Sequence, residues 1–201
     1  MSHYFTNDEN LKENPRIISH EFGGKIFKFH TNSGVFSPEK IDFATNLLIE
    51  NIAADFCDDA KSAKRQILDL ACGYGPIGII LGKIFEHDIT MSDVNRRALE
   101  LAKINCETNG VDVKIIESDV FSRIVGKFDT ITLNPPIHAG KEVCRRMYYG
   151  AAEHLAPDGA LYIVIQKKHG ANSTMATLNE IFGEVKILYK KKGYYILRCE
   201  N

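Results

Sequence analysis

From Gln66 onward the chain repeats one pattern: a short apolar run, a turn, then a longer stretch with helical spacing. The apolar runs cover residues 67–70, 88–91, 113–117, 130–133 and 161–165. Each has the length and character of a strand buried on both faces. Helical stretches cover 77–85, 95–109, 141–154 and 173–182, and Gly110 and Gly183 terminate two of them. Residues 185–189 and 194–199 flank Lys191-Lys192-Gly193 and read as a closing hairpin. Strands alternating with helices, followed by an antiparallel pair, predict an α/β fold: an open, doubly wound, seven-stranded, mostly parallel sheet with helices on both faces. Ligands of such sheets bind beyond the carboxyl ends of the strands, here near residues 71–75, 92–93, 118–119 and 134–137.

Ahead of this repeat, residues 16–22 and 25–31 surround Gly23-Gly24 and predict a hairpin. Ser37-Pro38 then opens a helix reaching about residue 52, with serine as the cap and proline in the first turn, and residues 58–64 form a polar connector. The expected organisation is therefore an extension of hairpin and helix over residues 1–63 and an α/β core over residues 64–201. No apolar run approaches the ~18–20 residues that span a bilayer, and the polar, acid-containing start is unlike a signal peptide, so a cytoplasmic protein without membrane contact is expected. The five cysteines are far apart and form no C-x-x-C pair, so neither a metal site nor a disulfide framework is indicated. A net charge of −1 gives no global attraction to nucleic acid. Arg145-Arg146, Lys167-Lys168 and Lys190-Lys191-Lys192 read as solvated surface, with RNA contact as the alternative.

Gly73-x-Gly75-x-x-Gly78 follows a strand and opens a helix, which permits a tight turn and close approach of backbone to a ligand. Asp93, 18 residues past Gly75 at the end of the next strand, is placed to accept both hydroxyls of a ribose. Asp69 borders the turn. A carboxylate there is awkward beside a pyrophosphate and natural beside an α-amino group and a sulfonium, which favours S-adenosylmethionine over NAD. Asp119, after the third strand, is placed to accept from an adenine amine, or else serves as a cap or turn residue. Cys72 has no histidine near it in sequence and reads as a packing residue rather than a nucleophile.

Fifty-nine residues after Gly75, an apolar strand ends in Asn134-Pro135-Pro136. The prolines fix their own φ and hold Asn134 extended. The Asn134 side-chain oxygen and the Pro135 carbonyl can then converge as acceptors on one amino group. Two acceptors on the hydrogens of an exocyclic base amine favour the pyramidal geometry that frees its lone pair. Orientation and preorganised polarity do most of this work, without a strong base.

These two segments, Asp69-Leu-Ala-Cys-Gly-Tyr-Gly-Pro-Ile-Gly78 and Asn134-Pro-Pro-Ile-His-Ala-Gly140, resemble those of class I S-adenosylmethionine-dependent methyltransferases. More narrowly, the chain is similar to the ribosomal RNA small-subunit methyltransferase C family, whose members methylate guanine at N2. Thr31-Asn-Ser-Gly-Val-Phe-Ser37 resembles the segment those enzymes carry upstream of the cofactor turn. The resemblance implies that Asp69, Gly73 and Gly75 contact the methionine half of the cofactor, Asp93 the ribose and Asp119 the adenine. It implies that Asn134 and Pro135 hold the target amine, with Pro136 and Ile137 bordering the substrate. Phe36 covers the cofactor or base, or packs under the hairpin. Lys141 meets a phosphate or faces water.

Two departures bear on substrate. Enzymes of this kind usually carry an aromatic residue after Asn-Pro-Pro, where this chain has Ile137, and the loss of base stacking is worth roughly 1–3 kcal/mol. His138 follows and is a candidate for stacking instead. Longer members of the family have a second, related domain in front. Recognition of ribosomal RNA, or of the small ribosomal subunit, is therefore expected to involve a homodimer or the assembled particle. Methylation of tRNA adenine or of a protein glutamine amide would use the same chemistry. An inactive S-adenosylmethionine fold acting as an RNA assembly factor is the reading from another class, and an NAD-dependent oxidoreductase would leave Asn134 and Asp69 without a task.

Overall fold

The computed structural model describes residues 12–58 and 64–201, so most of the polar start and of the expected connector lie outside the described residues. Nine strands and five α-helices are described. β1 (Arg16–Phe22) and β2 (Lys25–Thr31) form an antiparallel hairpin; α1 (Phe43–Asp58) follows. The strand–helix repeat then runs β3 (Gln66–Leu70), α2 (Pro76–Phe85), β4 (Asp88–Asp93), α3 (Arg96–Asn109), β5 (Val113–Glu117), β6 (Phe128–Leu133), α4 (Lys141–His154), β7 (Leu155–Gln166), α5 (Ala171–Ile181), β8 (Glu184–Lys191) and β9 (Tyr194–Glu200). Short 3-10 turns at Ile137–Ala139 and Lys167–His169 leave the ends of β6 and β7. Seven strands make one sheet in the order β5-β4-β3-β6-β7-β9-β8, in which β9 runs antiparallel to the other six. This is the doubly wound architecture that the alternating pattern predicts, with the order reversing direction between β3 and β6. No helix among the described residues is long and apolar enough to cross a membrane.

Side chains alternate across each strand, so the central strands feed two separate cores. Ile67, Met91, Tyr162 and Ile196 face α1, α2, α3 and the hairpin, where Phe27, Phe29, Leu48 and Ile80 are buried. Leu68, Leu70, Ile131, Leu133 and Ile163 face α4 and α5, against Met147, Tyr148 and Leu178. The hairpin is fixed to this body by Asn105 of α3, which is fully buried. Its carbonyl oxygen accepts from the His30 N–H at 2.6 Å, and its amide donates to the carbonyls of His30 and Tyr74.

Two elements differ from the sequence expectation. α1 begins at Phe43 rather than at Ser37-Pro38. Asp42 is its cap, accepting from the Ala44 N–H at 2.8 Å, whereas Ser37 sits at φ 47° in the left-handed region and its hydroxyl donates to the Lys40 carbonyl. β7 begins at Leu155, well before residue 161. Its register against β6 shifts between Phe128 and Thr130, and this irregularity accommodates Pro157 within the strand. A side chain at Gly159 would lie 2.7 Å from the Phe128 carbonyl oxygen, so only glycine permits this close approach.

Candidate active site

The carboxyl ends of β3, β4 and β6 open on a cleft walled by Ala71–Tyr74, by Asp93 and Val94, by Ser118–Val120 and by Asn134–Pro136, with Phe36, Asp42 and Thr45 along one side. Among the described residues, three carboxylates (Asp42, Asp93 and Asp119) and no lysine or arginine belong to this wall. That set fits a cationic ligand and opposes a pyrophosphate.

On the β4 side, Asp93 stands where the sequence places it. One carboxylate oxygen accepts from the Gly73 N–H and the other from the Asn95 N–H, each at 2.9 Å, so the carboxylate is oriented and each oxygen keeps acceptor capacity for a hydroxyl. Burial raises its pKa, and these N–H donors counter the rise. Gly73 has φ 58°, and the space where its side chain would lie is open, so a ligand can approach the backbone. Gly75, at φ 90°, is the cap of α2 and is absent from the cleft wall; its turn serves the path of the chain. Asp119 reaches the cleft with its carboxylate paired to Arg146 at 2.9 Å. Cys72 is buried, and its thiol is pushed well up by that burial, as suits a packing residue.

Asp69 departs from its expected position. It is fully buried beneath the glycine turn and does not line the cleft. One of its oxygens accepts from the Gly78 N–H at 2.9 Å and the other from the Thr132 hydroxyl at 2.9 Å. Gly75 offers no side chain to cap α2, so Asp69 satisfies one of that helix's free N–H groups from below. Burial lifts the carboxyl to about 7, against the opposing pull of those two donors. Its contribution is to fasten the glycine turn to β6, two residues before Asn134.

At the end of β6 the Asn134 amide donates to the Thr45 hydroxyl at 2.9 Å, and that hydroxyl donates to the Asp42 carboxylate. A hydroxyl has one hydrogen, and Asp42 takes it. Thr45 can therefore only accept from Asn134, which commits the NH2 of the amide to Thr45 and leaves its oxygen for the cleft. Pro136, at φ −75° and ψ 77°, makes an inverse γ-turn in which the Pro135 carbonyl accepts from the Ile137 N–H at 2.9 Å. This carbonyl retains one lone pair. Ile137 itself begins the 3-10 turn and is not on the cleft wall, and the exposed His138 ring packs edge-on against His169 rather than over the clamp. Phe36, 38% exposed, lines the cleft rather than packing beneath the hairpin. The segment carrying it is tied to α3 by Asn95, which donates to the Gly34 carbonyl, and by Arg97, which donates to that of Ser33.

Asp42 and Thr45 are the residues that sequence reasoning missed. Their signal was an aspartate three positions before a threonine at the head of an apolar helix, a cap pattern hidden behind the stronger-looking Ser37-Pro38.

The family model for the methyltransferase small domain matches residues 26–198. The uncharacterized protein YbxB of Bacillus subtilis (strain 168) is 43% identical over 203 residues, covering 99% of this chain and 98% of its own length. A ribosomal RNA small subunit methyltransferase C of Haemophilus influenzae (strain 86-028NP) is 35% identical over 84% of this chain and 49% of its own length. Among solved structures, the T. Thermophilus 16S rRNA N2 G1207 methyltransferase (RsmC), in complex with AdoMet and guanosine, superposes with a TM-score of 0.82 at 28% identity, covering 93% of this chain and 50% of its own. The chain thus spans about half the length of these two methyltransferases.

Proposed function

This chain belongs to the methyltransferase small domain family, and we propose that it methylates the exocyclic N2 amine of a guanine in ribosomal RNA. S-adenosylmethionine is the cofactor, and when bound it supplies a methyl group made electrophilic by its sulfonium. The wall, with the carboxylates of Asp42 and Asp93 and with Asp119 paired to Arg146, fits that group. Asp93 would hold the ribose hydroxyls, the backbone of Gly73 would border the methionine half, and Asp119, steadied by Arg146, would accept from the adenine amine.

The orientation of Asn134 carries the proposal. With its NH2 held by Thr45, the residue offers the cleft an acceptor, which suits an amine that must keep two hydrogens occupied while its lone pair points at the methyl. The Pro135 carbonyl would supply the second acceptor. Neither group titrates near neutrality, so the clamp works by orientation and preorganised polarity, not by removing a proton beforehand. Phe36 would cover the base or the adenosyl group from the side.

Further substrate contacts are proposed to come from a second copy of the chain or from the small ribosomal subunit, within the cytoplasm. The test is transfer of a labelled methyl group to naked rRNA, small subunits and total tRNA from cells lacking this protein. Label in rRNA or small subunits, located at guanine N2 and abolished by Asn134→Ala, is the expected result. Label at adenine in tRNA, or on a protein glutamine, would move the activity to that substrate. Cofactor binding without transfer to any of them would make the protein a binding module.

A further inference from the structure

Lysines that lie far apart in sequence meet beside the clamp. The N–H of Lys167, just past β7, donates to the Gly193 carbonyl at 2.7 Å, which seats the turn Lys167–His169 against the β8–β9 turn. Lys167, Lys168, Lys190, Lys191 and Lys192 are all exposed. None of the five forms an ion pair among the described residues. The acids of this hairpin, Glu184 and Glu200, pair across its opposite end. The carboxyl edge of the sheet is therefore strongly basic here in a chain whose net charge is −1.

Aromatic rings join this edge to the site. The Lys192 ammonium stands 5.5 Å from the centroid of Phe43, and Phe43 lies 5.3 Å from Tyr194. Phe43 is 39% exposed and follows Asp42 directly in the chain. On the other side, His169 meets His138 of the turn after Asn134-Pro135-Pro136 at 6.4 Å. A chain of contacts and sequence neighbours thus leads from the clamp through His138, His169, the lysine turn, Lys192 and Phe43 to Asp42 and Thr45, and back to Asn134.

We propose that this edge is the docking surface for the RNA strand flanking the target nucleotide, an inference that rests on the RNA-methyltransferase reading. Lysines able to neutralise phosphates and release counterions stand beside exposed rings on which a base can stack, and both border the clamp that would hold a splayed-out guanine. The surface explains how a chain without net positive charge would hold RNA. It also offers a stacking partner outside position 137.

The double variant Lys168→Glu/Lys191→Glu tests it, with Lys103→Glu/Lys114→Glu, on α3 and β5 away from the clamp, as comparator. Binding of naked small-subunit rRNA is titrated between about 50 and 200 mM salt, alongside S-adenosylmethionine affinity. The first variant should lose at least about tenfold in RNA affinity, with a shallower salt slope by roughly 0.7 for each phosphate contact removed. Its cofactor affinity should stay within twofold, and the comparator should bind RNA like the wild type. Equal RNA affinity in wild type and first variant, or an equal loss in the comparator, would overturn the surface while leaving the RNA reading intact. A wild-type protein that neither binds rRNA nor methylates it would overturn both.

Discussion

The Asn134 amide donates to the hydroxyl of Thr45, and Thr45 in turn donates to Asp42, so a helix cap on α1 sets which end of Asn134 faces the cleft. Asp42→Asn should reverse that direction. Asparagine caps a helix as well as aspartate does and keeps an oxygen for the Ala44 N–H, but its NH2 would now face Thr45. Thr45 would then donate to Asn134, and the amide would turn its NH2 toward the substrate amine. Single-turnover rates should fall by about 10–100-fold, with cofactor affinity within twofold. Thr45→Val should behave similarly and Thr45→Ser should restore the rate. Wild-type turnover in Asp42→Asn would show that this relay does not set the amide.

Asp93→Ala removes the acceptor for Gly73 and Asn95 as well as the proposed ribose contact. S-adenosylmethionine affinity measured by calorimetry should weaken by about 2–3 kcal/mol, the loss expected when hydrogen bonds to a charged acceptor go. Unchanged affinity would remove Asp93 from the cofactor site.

Gly78→Ala tests how closely α2 rides on the sheet. The added methyl would stand 2.8 Å from both Cγ and Sδ of the buried Met91 and 3.1 Å from Ile89. Overpacking of this kind costs about 1–3 kcal/mol, which should appear as a lower denaturant midpoint with an unchanged slope. A wild-type midpoint would mean that Met91 has room to move.

The buried Asp69 gives stability a distinctive pH profile. Its folded pKa of about 7 exceeds the ordinary 3.8, so folding favours the protonated form. The contribution is fully present below about pH 4 and is lost as pH rises to 7, a change of about 4 kcal/mol for three units. Asp69→Asn keeps an acceptor for the Gly78 N–H, and Thr132 can rotate to accept from the new amide. Denaturant titrations at pH 5 and pH 8 should therefore show this component in the wild type and its absence in the variant. Equal slopes against pH would place the titration elsewhere.

The alternation of strands and helices and the closing antiparallel pair were legible in the sequence because buried parallel strands and terminated helices leave strong local patterns. Asp93 and Asn134 were legible for a related reason: each ends a strand, so its place in the cleft follows from topology. Asp69 was not, because its position on the strand does not reveal whether it faces a ligand or the underside of a helix; the partners that decide this are Gly78 and Thr132, nine and 63 positions away. Asp42 and Thr45 were missed because their importance comes from contact with Asn134, a long-range pairing. The convergence of Lys167 with Gly193 was invisible for the same reason.

Asp69 grips the helix that follows the glycine turn with one oxygen and the strand that ends in Asn134 with the other. The turn proposed to border the cofactor and the strand leading to the proposed amine clamp thus share one buried anchor, so a substitution at Asp69 would disturb both at once.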